Sequence, residues 1–280
     1  MTLPRIRNAG CLVIGDEVLN GKIHDINSFE FAKFCFNNLS IPLKRTIVCS
    51  DDKDDIIDSL NNLRKSCDII ITSGGIGSTH DDVTYEAIAT AFNTTVSLHQ
   101  PTVDRINRII GKDYFANHTT NQLLAFNRMA TLPLTCEPHY VDDSLWVPIV
   151  GMENQVYILP GVPHLFLKLL SGLEPILKPR IISLGFTRSY IKTRTGESRL
   201  APFLTGLQQN VDKKYGIGTI KLGSYPHLKW KINTISIIGN SEVPEKDIEQ
   251  LISQIIEGVG GDAQQINALE EDRLSTQEPN

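Results

Sequence analysis

Residues 68–82 read DIIITSGGIGSTHDD, and the reading of this stretch decides the fold. Asp68 to Thr72 is an apolar run with no polar alternation, as a strand covered on both faces of a parallel sheet requires. It runs straight into Gly74, Gly75 and Gly77, then Ser78, Thr79, His80, Asp81 and Asp82. Behind these, Thr84 is placed to cap a helix that carries Tyr85, Ile88, Ala89 and Phe92 on one face. Strand, glycine turn and helix form the repeating unit of an α/β fold.

Outward from this stretch the alternation continues. Cys11 to Gly15 (CLVIG) reads as a strand, followed by a helix capped by Asn27 or Ser28 with Ala32, Cys35, Phe36 and Leu39 on one face. Leu43 to Cys49 is a second strand, and a helix from about Asp52 aligns Ile56, Leu60 and Leu63. Residues 113–145 are less regular, with a helix expected over Thr120 to Met129. Val147 to Val150 and Val156 to Leu159 read as a hairpin through GMEN, and LPGVP then leads into a leucine-rich helix ending near Leu177. From Ile181 the grammar changes to short strands, TGES, LGSYP, an alternating KWKINTISI and a helix over Pro244 to Glu257. The expectation is a three-layer αβα sandwich with a mostly parallel sheet over 8–180, a small α+β subdomain over 181–262 and a flexible tail over 263–280.

Bulk composition excludes several classes. The 280 residues carry 27 basic and 32 acidic side chains, so no basic stripe points to nucleic acid. No apolar run reaches the roughly 18 residues that span a bilayer. The start, MTLPRIRNAG, has no apolar signal core, and the five cysteines lack any CxxC. Reduced, buried thiols in a cytoplasmic protein, with the nucleus as a further location, are expected.

Ligands of open parallel sheets bind at the carboxyl ends of the strands. Gly15 to Gly21 (GDEVLNG), Ser50 to Asp52, the glycine stretch and the LPGVP turn all fall at such ends. Glycines let a phosphate or a fused ring approach backbone N–H groups. Asp81 and Asp82, with Glu17 and Asp51, repel a bare phosphate. Either a divalent cation bridges carboxylates and phosphate, or the aspartates accept N–H donors of a heterocycle. The stretch is neither a Walker loop nor a G-x-G-x-x-G fingerprint. His80 reads as a solvated loop histidine.

VIGDEVLNGKIHDINS, SGGIGSTHDDVTYEAIATAF and YILPGVP, continued by TGES and LGSYP, resemble the molybdopterin-binding-like domain of CinA proteins and of the N-terminus of animal FAD synthases. The resemblance covers residues 8–260 and is nearest the FAD-synthase version. It implies a MogA/MoaB-like sandwich followed by a small α+β unit. In several members it implies a metal-dependent pyrophosphatase acting on FAD or ADP-ribose, using Mg, Mn or Co with potassium as an accessory ion. A small-molecule nucleotide or flavin is the implied partner, with no nucleic acid and no membrane, and with self-association into a homodimer or homotrimer. Carried over, the catalytic residues are Glu17, Asp81 and Asp82, and the metal ligands Asp51, Asp81 and Asp82. The ligand-binding residues are Gly15, Asp16, Gly21, Asn27, Gly74, Gly75, Gly77, Ser78, Thr79, Thr84, Pro160 and Gly161. Two departures stand out. The chain stops before any amidohydrolase domain of the CinA kind and any FAD-forming adenylyltransferase domain, so neither of those activities is expected. Where the family commonly has an acidic residue after PGxP, this chain has His164 and Leu165. A flavin- or pterin-binding protein without catalysis, or a molybdopterin adenylyltransferase-like enzyme, are the alternative readings.

Overall fold

The computed structural model describes residues 3–276 and divides into two compact units, meeting in sequence at Ser183 and Leu184. The strands of the first unit are β1 (Ala9–Ile14), β2 (Leu43–Cys49), β3 (Ile69–Ser73), β4 (Val96–Leu98), β5 (Thr131–Pro133), β6 (Glu137–His139), β7 (Ile149–Met152) and β8 (Val156–Leu159). Its main sheet runs in the order β2-β1-β3-β8-β7-β6, while β4 and β5 pair separately. β2, β1, β3 and β8 are parallel, and β7 and β6 add antiparallel at one edge. All residues of β1 and β3 are buried, which explains their unbroken apolar runs. Helices Asn27–Phe34 and Pro163–Leu177 contact each other, as do Lys53–Arg64 and Thr84–Ala91, giving the two helical layers.

Several local rules decide these elements. Asp52 caps its helix by accepting N–H bonds from Asp54 and Asp55, both at 3.0 Å. Glu153 and Asn154 both take positive φ, 48° and 55°, making the primed turn that suits a two-stranded hairpin between β7 and β8. The helix from Asn27 buries Phe31 and Phe34 rather than Ala32 and Phe36. Its last turn, Cys35–Leu39, is a π-helix, and the wider turn brings Cys35 and Leu39 onto the Phe31 side. Phe31, Phe34, Cys35 and Leu39 keep the helical spacing i, i+3, i+4, i+8, on a face turned slightly from the one expected. The helix expected over Thr120 to Met129 runs Thr120–Asn127, with Thr119 and Gln122 in a capping box.

The second unit is an antiparallel sheet of order β10-β11-β9-β12, with β9 (Thr187–Thr193), β10 (Ile220–His227), β11 (Ile232–Gly239) and β12 (Gln264–Ile266). Leu200, Leu204, Leu207 and Val211 form the buried stripe of helix Glu197–Tyr215 and pack with Ile235, Ile237, Leu251 and Ile255. KWK belongs to the turn before β11, since Lys231 adopts φ 52°. The flexible tail expected over 263–280 needs correction. Gln264–Ile266 pairs with the edge of β9, and helix Ala268–Thr276 lies against β9, where Lys192 Nζ binds Glu270 Oε1, while His227 at the end of β10 faces Glu271 at 3.9 Å. An unpaired strand edge and buried polar side chains recruit this polar segment, a tertiary demand that composition does not reveal. The remainder of the tail, 277–280, lies outside the described residues.

All five cysteines are free thiols. Burial pushes Cys49 up to about 12 and Cys136 up to about 11, so neither is a ready nucleophile. No helix among the described residues is long and apolar enough to cross a membrane.

Candidate functional site

Because β1, β2, β3 and β8 are parallel, the four segments that follow them share one edge of the sheet. A cavity of about 510 Å³ opens there. Gly74 to Gly77 form one wall, Pro160 to Pro163 another, and Ile23 to Asn27 with Glu17 a third. Met129, Leu145, Trp146 and Val147 complete an apolar side. The size fits a small-molecule ligand.

The glycine turn is held from within the protein. Gly74 has φ 110°, and an added Cβ would stand 2.1 Å from the carbonyl oxygen of Ile14. Gly75 has φ 63°, and its Cβ would meet Thr84 Oγ1 at 2.2 Å. Both glycines are therefore demanded by packing and backbone conformation before any ligand is considered. The Thr84 hydroxyl donates to the Gly74 carbonyl at 3.0 Å, and Thr84 is fully buried at the first helical position. It neither caps the helix with its side chain nor lines the cavity, contrary to both sequence expectations. Thr84→Val keeps the shape but orphans that carbonyl, and about 1–2 kcal/mol of stability should be lost. Denaturant titration checks this, and an unchanged midpoint would refute it.

Asp82 is also occupied. Its Oδ1 accepts the Gly77 N–H at 2.6 Å, and its Oδ2 accepts the Thr79 N–H at 2.9 Å and the Thr79 hydroxyl at 2.5 Å. Arg128 Nη2 then binds the Asp82 carbonyl at 3.0 Å. The loop is thus closed around its own carboxylate, while the N–H groups of Gly75, Ile76 and Ser78 have no acceptor among the described residues.

The other expected residues divide. Glu17, Asn27, Gly74, Gly75, Gly77, Asp82, Pro160 and Gly161 line the cavity. Gly15, Asp16, Gly21, Asp51, Ser78, Thr79, Asp81 and Thr84 do not. Asp16 and Asp51 lock two strand ends together, Asp16 N to Asp51 Oδ2 at 2.8 Å and Asp51 N to Asp16 Oδ1 at 3.4 Å. Burial chiefly, then the negative charges of Glu17, Asp16 and Asp81, holds the Asp51 carboxyl above its ordinary value, against the lowering effect of the Asp16 N–H. Asn27, 6% exposed, donates through Nδ2 to Ser73 Oγ and to the Gly161 carbonyl, both at 2.8 Å. Gly161 in turn packs so closely that a Cβ would lie 3.2 Å from Gly74 Cα.

Sequence reasoning missed the apolar wall. Arg105 fixes the irregular segment that carries it, through the Leu145 carbonyl at 2.7 Å and the Asp142 carbonyl at 2.6 Å, and the Trp146 ring lies 6.1 Å from Phe126. Neither periodicity nor a motif marks such a segment. Leu165, at the position where an acidic residue was expected, lines the cavity as well. Among the described residues no lysine or arginine lines it, whereas Glu17, Asp25 and Asp82 do.

A family model described as a probable molybdopterin binding domain matches residues 10–181. The chain belongs to this molybdopterin-binding domain family. Members related to it include a probable FAD synthase of Caenorhabditis elegans, 29% identical over 92% of this chain and 51% of that protein. A CinA-like protein of Flavobacterium psychrophilum is 30% identical over 73% of this chain and 49% of its own length. A protein of Pyrococcus furiosus is 30% identical over 89% of this chain and 97% of its own. The chain thus spans about half the length of the first two. Among solved structures, CinA of Thermoplasma acidophilum, described as of unknown function, superposes with TM-score 0.54 at 26% identity, covering 61% of this chain and 98% of that one. The family match, residues 10–181, falls within the first unit.

Proposed function

We propose that the domain binds a nucleotide with a diphosphate bridge and hydrolyses that bridge, FAD or ADP-ribose being the substrate class, with Mg, Mn or Co. One observation carries this reading: an apolar cavity without lysine or arginine lies between a glycine turn with unpaired N–H groups and an edge of carboxylates. A diphosphate on that edge needs positive charge from elsewhere. The carboxylates suit a hard divalent cation, which commonly takes one or two carboxylates and completes its shell with phosphates and water. Among the described residues no three Asp, Glu, His or Cys side chains converge on one point, so substrate oxygens must supply part of the shell. Glu17, which lines the cavity, would hold the ion together with one of Asp51 and Asp81. Bound there, it would neutralise phosphate charge and acidify a water.

The chain's own groups do the rest. The Gly75 and Ile76 N–H groups, from residues that line the cavity, offer hydrogen bonds to phosphate oxygens. Asp82 keeps those donors aimed by holding Gly77 and Thr79. Hydrolysis adds water across one P–O bond of the bridge, so that FAD leaves as FMN and AMP.

The test is direct. Purified protein with FAD or ADP-ribose and each cation should release AMP, and a chelator should abolish the release. No AMP with any cation rejects hydrolysis. Binding of flavin or pterin without turnover is the second reading, favoured by the apolar Leu165 in the cavity wall. Light scattering would decide whether the chain forms the dimer or trimer that we propose with it.

A further inference from the structure

We propose that Arg128 is a positioning residue of the site: it pins residues 82–84 from outside and, through them, aims the Gly75 and Ile76 N–H groups at the ligand's phosphates. This rests on the nucleotide reading above and adds the residue that keeps the phosphate donors in place. Residues 82–84 hold the glycine turn from within. The Asp82 carboxylate accepts the Gly77 and Thr79 N–H groups. The Thr84 N–H donates to the Gly75 carbonyl at 3.0 Å, and the Thr84 hydroxyl donates to the Gly74 carbonyl at 3.0 Å. In a planar trans peptide the N–H lies opposite the C=O, so fixing these two carbonyls also fixes the N–H groups of Gly75 and Ile76. Both residues line the cavity, and neither N–H has an acceptor among the described residues.

Arg128 reaches this segment from a separate part of the chain. It opens the short 3-10 helix Arg128–Ala130, whose Met129 lines the cavity and whose Ala130 is fully buried. Its Nη2 donates to the Asp82 carbonyl at 3.0 Å, a bond strengthened by the positive charge. The other partner, Glu86, stands at 3.9 Å with 45% of its side chain exposed, an ion pair too loose and too wet to hold the guanidinium. Arg128 Nε is buried without an acceptor among the described residues, a cost that points to a task beyond stability.

The experiment is a double-variant cycle on the full chain, Arg128→Met with Asp82→Asn, read as kcat and KM for AMP release from FAD with Mg, Mn or Co. Arg128→Met should lower kcat at least tenfold and move KM no more than threefold, since no side chain lining the cavity changes. Arg128→Lys, which keeps a charged donor, should be at least threefold faster than Arg128→Met. The double variant should be no more than threefold slower than Asp82→Asn alone, because both residues act through one turn. Losses that multiply overturn the proposal. So do an unchanged kcat in Arg128→Met, and a lysine variant no faster than the methionine one. If Arg128→Met does not fold, Arg128→Gln takes its place and must lose at least threefold. AMP release that no Arg128 variant alters rejects the positioning role alone. A wild-type chain that releases no AMP rejects hydrolysis alone, and the cycle is then read in calorimetric affinity for ADP with Mg. There Arg128→Met must weaken binding at least threefold, again without multiplying the effect of Asp82→Asn. Unchanged ADP affinity, or no ADP binding by the wild type, overturns the positioning role as well.

Discussion

Gly74→Ala is expected to lower the unfolding midpoint of the first unit by roughly 6–12 °C, for about 3 kcal/mol of lost stability. Two separate penalties meet at this residue. Its φ of 110° is one that side chains with a Cβ rarely adopt, and the new methyl would overlap the Ile14 carbonyl oxygen at 2.1 Å. That oxygen belongs to β1, which is paired on both sides, with β2 and β3, so it has little room to retreat. Gly75→Val should also destabilise, because it displaces the hydroxyl of Thr84. Thermal unfolding followed by circular dichroism measures both. A shift of less than about 2 °C for Gly74→Ala would show that the turn relaxes, and would return these glycines to a purely ligand-binding role.

The second large effect separates two kinds of carboxylate. Asp82→Asn should reduce AMP release at least a hundredfold, about 2.7 kcal/mol of transition-state stabilisation. Both carboxylate oxygens accept from N–H groups, so whichever becomes an amide NH2 faces a donor. Hydrogen bonds to charged acceptors contribute about 1.5–3 kcal/mol each, which is enough to collapse the loop's arrangement. Added cation should not restore the lost rate, because Asp82 organises the donors rather than holding the ion. Glu17→Gln should behave differently. It removes a carboxylate that lines the cavity, weakens cation binding, and recovers part of its rate as cation concentration rises. Parallel cation titrations of the two variants give the answer. Recovery of Asp82→Asn with cation would make Asp82 a ligand, and no response in Glu17→Gln would remove Glu17 from the cation site.

Much of this architecture is written locally. The apolar run into Gly74 specifies a buried central strand because only a sheet covered on both faces tolerates it. The loops of Glu17, Gly74 and Gly161 were legible as neighbours because parallel strands deliver their carboxyl ends to one edge, and all three line the cavity. The irregular wall of Leu145 and Trp146 carried no such signal, since nothing in its spacing repeats. The same holds for the residues 263–276, whose polar composition suits solvent as well as it suits a strand edge and a short helix.

What the sequence determined by itself, then, is the order of strands and helices and which loops gather at the site. Those features follow from period, turn chemistry and the direction of a parallel strand, all of which act over a few residues. Tertiary structure alone decided the roles within the loop. Gly74 answers to Ile14, sixty positions earlier, Gly75 to Thr84, and Asn27 to Ser73 and Gly161. Such roles depend on interatomic distances between segments far apart in the chain, and a residue type suited to binding is equally suited to closing a turn.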